Sequence, residues 1–447
     1  MVHAMHHYTK TTMDVLPEGV DIMQTGDDHP SDEYASDTTE SLGAGSSMST
    51  RRGELIRFQR GDIIEDNEIG GVRWTVQEYI GRGNFSNVWK VHTEINGSGM
   101  FGAVKAMRSS EDHAHAVEQE IRLMMSMQNP GIVEVLGTCD ALDCFGDTHT
   151  CIVLEYMDGG DVYHFSKSSA FDSRRMGVSC TRTAAQQLLG ALVHLKELGI
   201  VHSDIKPENI LVSRDITTFK LADFGSASTN QYVRTYGRTA PYRSPEMVWK
   251  RSPGSHCDVW SLACTLFEIC AGQSLFPNGD DTSSTGSSSP SRSHTSSTSS
   301  RTSSRTSSRT PSSSGSTSQD RNIRHLYEMI CVLGPFPEGV RKKAPREYFT
   351  RRGRPTFYDW RNPPEITPPG DNISLLAACG EDEDEAAALE SFLLPMLRYN
   401  YKRRTSPELA LQHSWLSSLN RTTTTTHSLD LDLDDVDVDV DLNVNNT

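Results

Sequence analysis

Asp204, Lys206 and Asn209 fall within six residues of one another, and Asp223 follows fourteen residues later. These are the side chains that transfer of a phosphoryl group from a nucleotide requires. A hydroxyl attacking a γ-phosphorus needs a carboxylate to orient it and accept its proton, and hard oxygen ligands to hold Mg²⁺ against the phosphates. Asp204 suits the first task, Asn209 and Asp223 the second, and Lys206 stands where it would meet the transferred phosphate. An Asp followed by an Asn is by itself an ordinary turn or cap. The information lies in the joint pattern Val201-His202-Ser203-Asp204-Ile205-Lys206-Pro207-Glu208-Asn209 followed by Asp223-Phe224-Gly225.

A phosphate cradle precedes this pattern. Ile80-Gly81-Arg82-Gly83-Asn84-Phe85-Ser86-Asn87-Val88 reads as two strands joined by a glycine-rich loop, whose missing Cβ atoms let backbone N–H groups close over phosphates. Phe101-Gly102-Ala103-Val104-Lys105-Ala106 reads as a strand that carries Lys105 toward the α- and β-phosphates. Glu120, fifteen residues further on in a helical run from Ala114 to Met127, is placed to orient Lys105 by an ion pair. Glu118 is the competing carboxylate on that helix and is expected to face solvent. Cys151 to Asp161 runs as an apolar strand into a polar, glycine-containing turn.

With these stretches in hand, about 300 residues from Trp74 to Leu416, less one insertion, resemble the eukaryotic protein kinase domain. The wording Lys206-Pro207-Glu208-Asn209 resembles the serine/threonine enzymes. Phe85-Ser86-Asn87-Val88-Trp89, Glu120-Ile121-Arg122-Leu123 and His202-Ser203-Asp204 are similar to the SR-protein kinase and dual-specificity branch, as are Glu347 to Gly353 and Phe392 to Leu397. The resemblance implies an α+β, two-lobed fold: a small antiparallel-sheet N-lobe with one main helix, about 70–157, and a mainly helical C-lobe, about 158–418. It implies ATP and Mg²⁺ as cofactors. Ile80 to Val88, Ala103, Lys105, Glu120 and Leu211 then line the nucleotide, with Leu154 as gatekeeper. Glu155 and Met157 offer backbone groups to adenine, and Asp161 reaches the ribose. Asp204, Lys206 and Asn209 are the implied catalytic residues, and Asn209 and Asp223 the implied metal ligands.

Departures from the family pattern narrow the reading. Ser203 stands where an arginine usually precedes the catalytic Asp and grips a phosphorylated activation loop, so control by loop phosphorylation is not expected. In Thr239-Ala240-Pro241-Tyr242-Arg243-Ser244-Pro245-Glu246, Thr239 is placed to brace Asp204 and Lys206, and Ala240 replaces the arginine of proline-directed relatives. Tyr236 lies where dual-specificity relatives phosphorylate themselves. Asp258 is implied to tie down the catalytic-loop backbone, and Glu246 to pair with Arg404.

Of the formal charge of −16 on 447 residues, residues 1–69 carry −9 and residues 421–447 carry −6. The folded part is therefore nearly neutral, and direct nucleic-acid binding is not expected. Both acidic segments are expected to be disordered, as is a Ser/Thr/Arg-rich insertion over 278–320 in which Arg301-Thr302-Ser303-Ser304 is echoed at Arg305 and Arg309. That insertion resembles Arg/Ser-rich substrates, which points to autophosphorylation and to protein substrates with Ser/Thr acceptors of basic or Arg/Ser-rich character. No apolar run approaches the ~20 residues a membrane span needs, and the acid-containing, His-bearing start does not resemble a signal peptide. Nine cysteines without paired spacing suit an intracellular protein of cytoplasm or nucleus, read as a monomer. The alternative function is a catalytically silent scaffold, against which retention of the whole polar set argues.

Overall fold

A computed structural model describes residues 55–65, 72–83, 86–95, 97–108, 111–142, 148–168, 175–229, 239–250, 254–276, 318–349 and 383–417. All fall in one compact unit, Arg51–Thr447. Alternating polar and apolar residues in the first part of the chain build a six-stranded antiparallel sheet in the order β1-β2-β3-β4-β6-β5. Its strands are β1 (Ile63–Glu65), β2 (Arg73–Arg82), β3 (Ser86–Ile95), β4 (Ser98–Met107), β5 (Val135–Leu142) and β6 (Thr148–Glu155). Period-two alternation divides the residues of β3 and β4 between two faces. Trp89, Val91, Val104 and Ala106 join Trp74, Val76, Cys139, Cys151 and Val153 in an outer cluster. Val88, Ala103, Ile152 and Leu154 instead face the cleft and belong to, or pack against, the main core.

One helix, α1 (Glu111–Met125), crosses the cleft face of the sheet. Val117, Glu120 and Met124 are buried at the three- and four-residue spacing of a helix face, whereas Glu118 is exposed and paired with Arg122 at 2.6 Å. Beyond β6 the chain is mainly helical: α2 (Val162–Ser166), α3 (Gly177–Glu197), α4 (Pro245–Val248), α5 (His256–Ala271), α6 (Ser318–Leu333), α7 (Glu338–Arg341), α8 (Glu383–Leu393), α9 (Pro407–Leu411) and α10 (Ser414–Ser417). Short strands β7 (Ile200–Val201), β8 (Ile210–Val212), β9 (Phe219–Leu221) and β10 (Ser228–Thr229) carry the polar loops, paired as β8 with β9 and β7 with β10. Apolar on nearly every side, α5 is buried almost throughout and forms the axis of the second lobe. It ends at Gly272, whose φ of 72° lets its N–H reach the Glu268 carbonyl at 2.8 Å. The α+β, two-lobed arrangement expected from the sequence is the one found.

Two boundaries need correction. The N-terminal segment expected to be disordered through residue 69 contains β1, and Leu55, Ile56 and Ile64 within it are buried. Acidic neighbours such as Asp62 and Glu65 conceal a strand of three residues whose only inward side chain is Ile64. The insertion expected over 278–320 overlaps α6, which begins at Ser318. The rest of the insertion, the tail 421–447, Tyr236, Asn84 and Phe85 lie outside the described residues. Among the described residues no helix is long and apolar enough to cross a membrane.

Candidate active site

Lys105, Glu120 and Asp223 converge on the cleft from three elements. The Lys105 ammonium lies 2.8 Å from Glu120 Oε1 and 2.9 Å from Asp223 Oδ1. Burial alone would lower the Lys105 ammonium, but the charges of Asp223 and Glu120 outweigh it and hold its pKa above the ordinary range. The same attraction, led by Lys105, lowers Asp223 to about 2, although its side chain is 53% exposed. Asp223 has φ 59°, a left-handed conformation uncommon outside glycine, which turns its carboxylate toward Lys105.

The loop after β7 holds the second group. Asp258 of α5 accepts the N–H groups of His202 at 2.8 Å and Ser203 at 2.7 Å. Ser203 is buried with φ 75°, and its hydroxyl donates to the Val201 carbonyl at 3.4 Å. His202 Nε2 donates to the Ala222 carbonyl at 3.0 Å, Nδ1 accepts the Asp204 N–H at 3.3 Å, and the ring packs edge-on against Phe224. These bonds aim the Asp204 carboxylate into the cleft. Lys206 Nζ lies 3.1 Å from Asp204 Oδ2 and 2.9 Å from Thr239 Oγ1, which itself lies 3.3 Å from Asp204 Oδ1. The brace expected of Thr239, the Asp258 tie and the Glu246–Arg404 pair, at 2.6 Å, are all present in the geometry.

The donor set fits Mg²⁺. Asn209 spends its amide nitrogen on Asp204, donating to the backbone oxygen at 2.7 Å and the carboxylate at 3.1 Å, which leaves its Oδ1 as the ligating atom. Asp223 engages Lys105 through Oδ1, leaving Oδ2. Two oxygens from two loops suffice for an ion that otherwise keeps water and phosphate. Among the described residues no cluster of three or more His, Cys, Asp or Glu offers a different metal site.

The nucleotide-binding expectations divide. Gly83 closes the glycine-rich turn through its N–H to the Ser86 carbonyl at 2.7 Å, and a Cβ there would meet Ser86 Oγ at 2.9 Å. Ala103 and Leu154 are register partners on the cleft face, while Val88 and Leu211 pack on the core from opposite lobes. Ile80 is exposed and Gly81 has open space around it. Asn87, assigned to the nucleotide with its neighbours, points the other way: its amide is buried and donates to the Ile56 carbonyl at 3.2 Å. Strand alternation forces this, because Val88 takes the cleft face. Asp161 caps α2, accepting the His164 N–H at 2.9 Å and facing the His164 ring at 2.8 Å, so a ribose contact has to displace that ring. Sequence reasoning missed Lys220, which pairs with Glu155 at 2.5 Å while Glu155 Oε1 also accepts the Glu134 N–H at 2.7 Å. The hinge is thereby tied to the strand that leads into Asp223. The placement of Lys220 three residues before Asp223 was the signal available.

A family profile described as the protein kinase domain matches residues 74–416. The chain belongs to the protein kinase family. Among curated proteins it is 31% identical over 230 residues to a probable dual specificity protein kinase YAK1 homolog of Encephalitozoon cuniculi, covering 51% of this chain and 54% of that protein. It is 28% identical over 251 residues to homeodomain-interacting protein kinase 1 of Caenorhabditis elegans, covering 54% of this chain and 29% of the relative. Homeodomain-interacting protein kinase 2 of Mus musculus is 30% identical over 217 residues, covering 46% of this chain and 17% of the relative. The chain thus spans about half, or less, of the lengths of these relatives.

Proposed function

We propose that this chain transfers the γ-phosphoryl group of ATP to Ser or Thr hydroxyls of protein substrates. The observation that carries the reading is the simultaneous assembly of both polar groups, Lys105–Glu120–Asp223 and Lys206–Asp204–Asn209, with Thr239 linking Asp204 to Lys206. Asp204 orients the substrate hydroxyl and takes its proton as the oxygen attacks the γ-phosphorus. The bond from that phosphorus to the bridging oxygen breaks, and ADP keeps the electron pair. Lys206 offsets negative charge on the group in flight, and Lys105, fixed by Glu120, holds the remaining phosphates. Mg²⁺ bound at Asn209 and Asp223 would neutralise phosphate charge.

Ser203 cannot receive a phosphorylated loop as an arginine would, which supports activity without phosphorylation of the activation loop. Ala240 supports acceptor sites outside the proline-directed pattern, and the Arg/Ser repeats of the insertion support basic, Arg/Ser-rich substrates and autophosphorylation within 278–320. The deciding experiment is radiolabel transfer from ATP to an Arg/Ser-rich peptide, with Lys105→Met and Asp204→Ala as comparisons. Signal confined to the wild-type chain, lost on chelation and restored by Mg²⁺, is the expected result. Equal signal in all three refutes intrinsic activity and leaves the silent scaffold. Phosphosite mapping of the same samples reports on the insertion, which should be modified only when Asp204 is present.

A further inference from the structure

The segment expected to be loose at the start of the chain lies across the outer face of the strands that make the glycine-rich loop. It is anchored at both ends. Toward β2, the Gly61 N–H donates to the Val76 carbonyl at 2.8 Å, the Val76 N–H donates to the Asp62 carbonyl at 2.8 Å, and β1 pairs with residues 73–75. Toward β3, Ile56 is buried in the outer cluster, the Phe58 ring meets the Trp89 ring edge-on at 4.8 Å, and Asn87 Nδ2 donates to the Ile56 carbonyl at 3.2 Å.

Asn87 occupies a sensitive place. Its predecessor Ser86 closes the glycine-rich turn, and its successor Val88 faces the cleft directly opposite Lys105 in the β3–β4 register. Asn87 itself stands opposite Ala106, on the other face. A buried amide bonded to a backbone carbonyl has one orientation, because a rotated or broken bond leaves two desolvated polar groups without partners. The strand is therefore held in height and twist at the residue between its loop-closing and nucleotide-facing positions.

We propose that residues 55–65 form a brace that sets the position of the glycine-rich loop over ATP, with Asn87 as the positioning residue that couples brace to loop. This rests on the ATP-binding reading above and adds to it a determinant of nucleotide affinity that never touches the nucleotide.

The test uses the full chain and titration with a fluorescent ATP analogue in Mg²⁺, alongside KM for ATP, kcat and the melting temperature. Asn87→Ala, and Asn87→Asp, which keeps the size but lacks the N–H, are each expected to weaken analogue binding about fivefold and raise KM in parallel, with kcat little changed. Phe58→Ala, which loosens the same segment, should do likewise. The Phe58→Ala/Asn87→Ala double variant should be no weaker than the worse single one, because both act through one brace. Arg57→Ala, at an exposed position in the segment, should match wild type. Melting temperatures that fall while affinity and KM stay put would assign Asn87 to packing alone and overturn the proposal, as would additive effects of the two sites. Should Asn87→Ala fail to fold, Asn87→Asp and Phe58→Ala decide the matter. A wild-type chain that fails to bind the analogue refutes the ATP reading and this inference together, whereas wild-type binding that no variant alters refutes only the inference.

Discussion

Asp258→Asn probes how far the catalytic loop depends on a carboxylate outside the cleft. Asp258, His202 and Ser203 are all buried, and the two carboxylate oxygens receive the two backbone N–H groups at 2.8 and 2.7 Å. An asparagine keeps one acceptor and turns an NH₂ group toward the other N–H, so one charge-assisted bond is lost and a buried donor is left facing a donor. Such a bond contributes about 1.5–3 kcal/mol. Ser203 adds a reason to relax, since its φ of 75° costs an L-residue roughly 1–2 kcal/mol that the intact loop has to offset. With about 2–3 kcal/mol lost, a displaced loop outweighs the native one, and kcat should fall roughly 30- to 150-fold. The assay is kcat at saturating ATP and peptide, with urea unfolding of the same preparation. Ser203→Gly in the Asp258→Asn background should recover part of the loss, because glycine adopts positive φ without the Cβ penalty. A variant with kcat within about twofold of wild type and an unchanged urea midpoint would refute the claim that these bonds hold the loop.

Glu246→Ala should destabilise the chain by about 3–5 kcal/mol in chemical denaturation, because it leaves the buried Arg404 guanidinium without its bidentate partner. Glu328→Gln should alter the pH dependence of stability. Burial pushes the Glu328 carboxyl up to about 8 from an ordinary 4.5, so its contribution is complete below about 4.5 and is lost as the pH rises through 8. Thermal melts should therefore diverge in favour of Glu328→Gln as the pH is raised across that window, and parallel curves would refute it. Glu155→Gln and Lys220→Met should each raise KM for ATP more than they lower kcat, since the pair ties the hinge to the strand before Asp223; a change confined to kcat would place the effect elsewhere.

The functional polar residues were legible because phosphoryl transfer demands particular side chains at short spacing. Asp204, Lys206 and Asn209 fall in one six-residue stretch, and Lys105 and Glu120 are linked by a strand-to-helix interval that geometry confines. The long-range anchors Asp258 and Arg404 were legible only through resemblance, since nothing local to either residue names its partner. The Glu155–Lys220 tie, across 65 positions, escaped notice for the same reason. Asp161 caps α2, and an Asp before a short helix serves equally as cap and as ligand, so the stretch around it does not separate the two roles.

The amino-acid sequence by itself determined the chemistry: which groups are present to take a proton, hold a cation and cradle phosphates. It also determined the two-lobed architecture, since strand alternation and helix periodicity are properties of consecutive residues. Only the tertiary structure decided which face of a strand meets the cleft, and which remote segment completes the other face. Asn87 turns outward because Val88 must turn inward. Ile56, among charged and polar neighbours, and Ile64, flanked by acids, lie in a segment that reads as a solvated tail, yet Ile64 joins the sheet in β1 and both are buried in the cluster on the outer face of β2 and β3. Burial is a property of the assembled chain, and no window of sequence around either residue contains it.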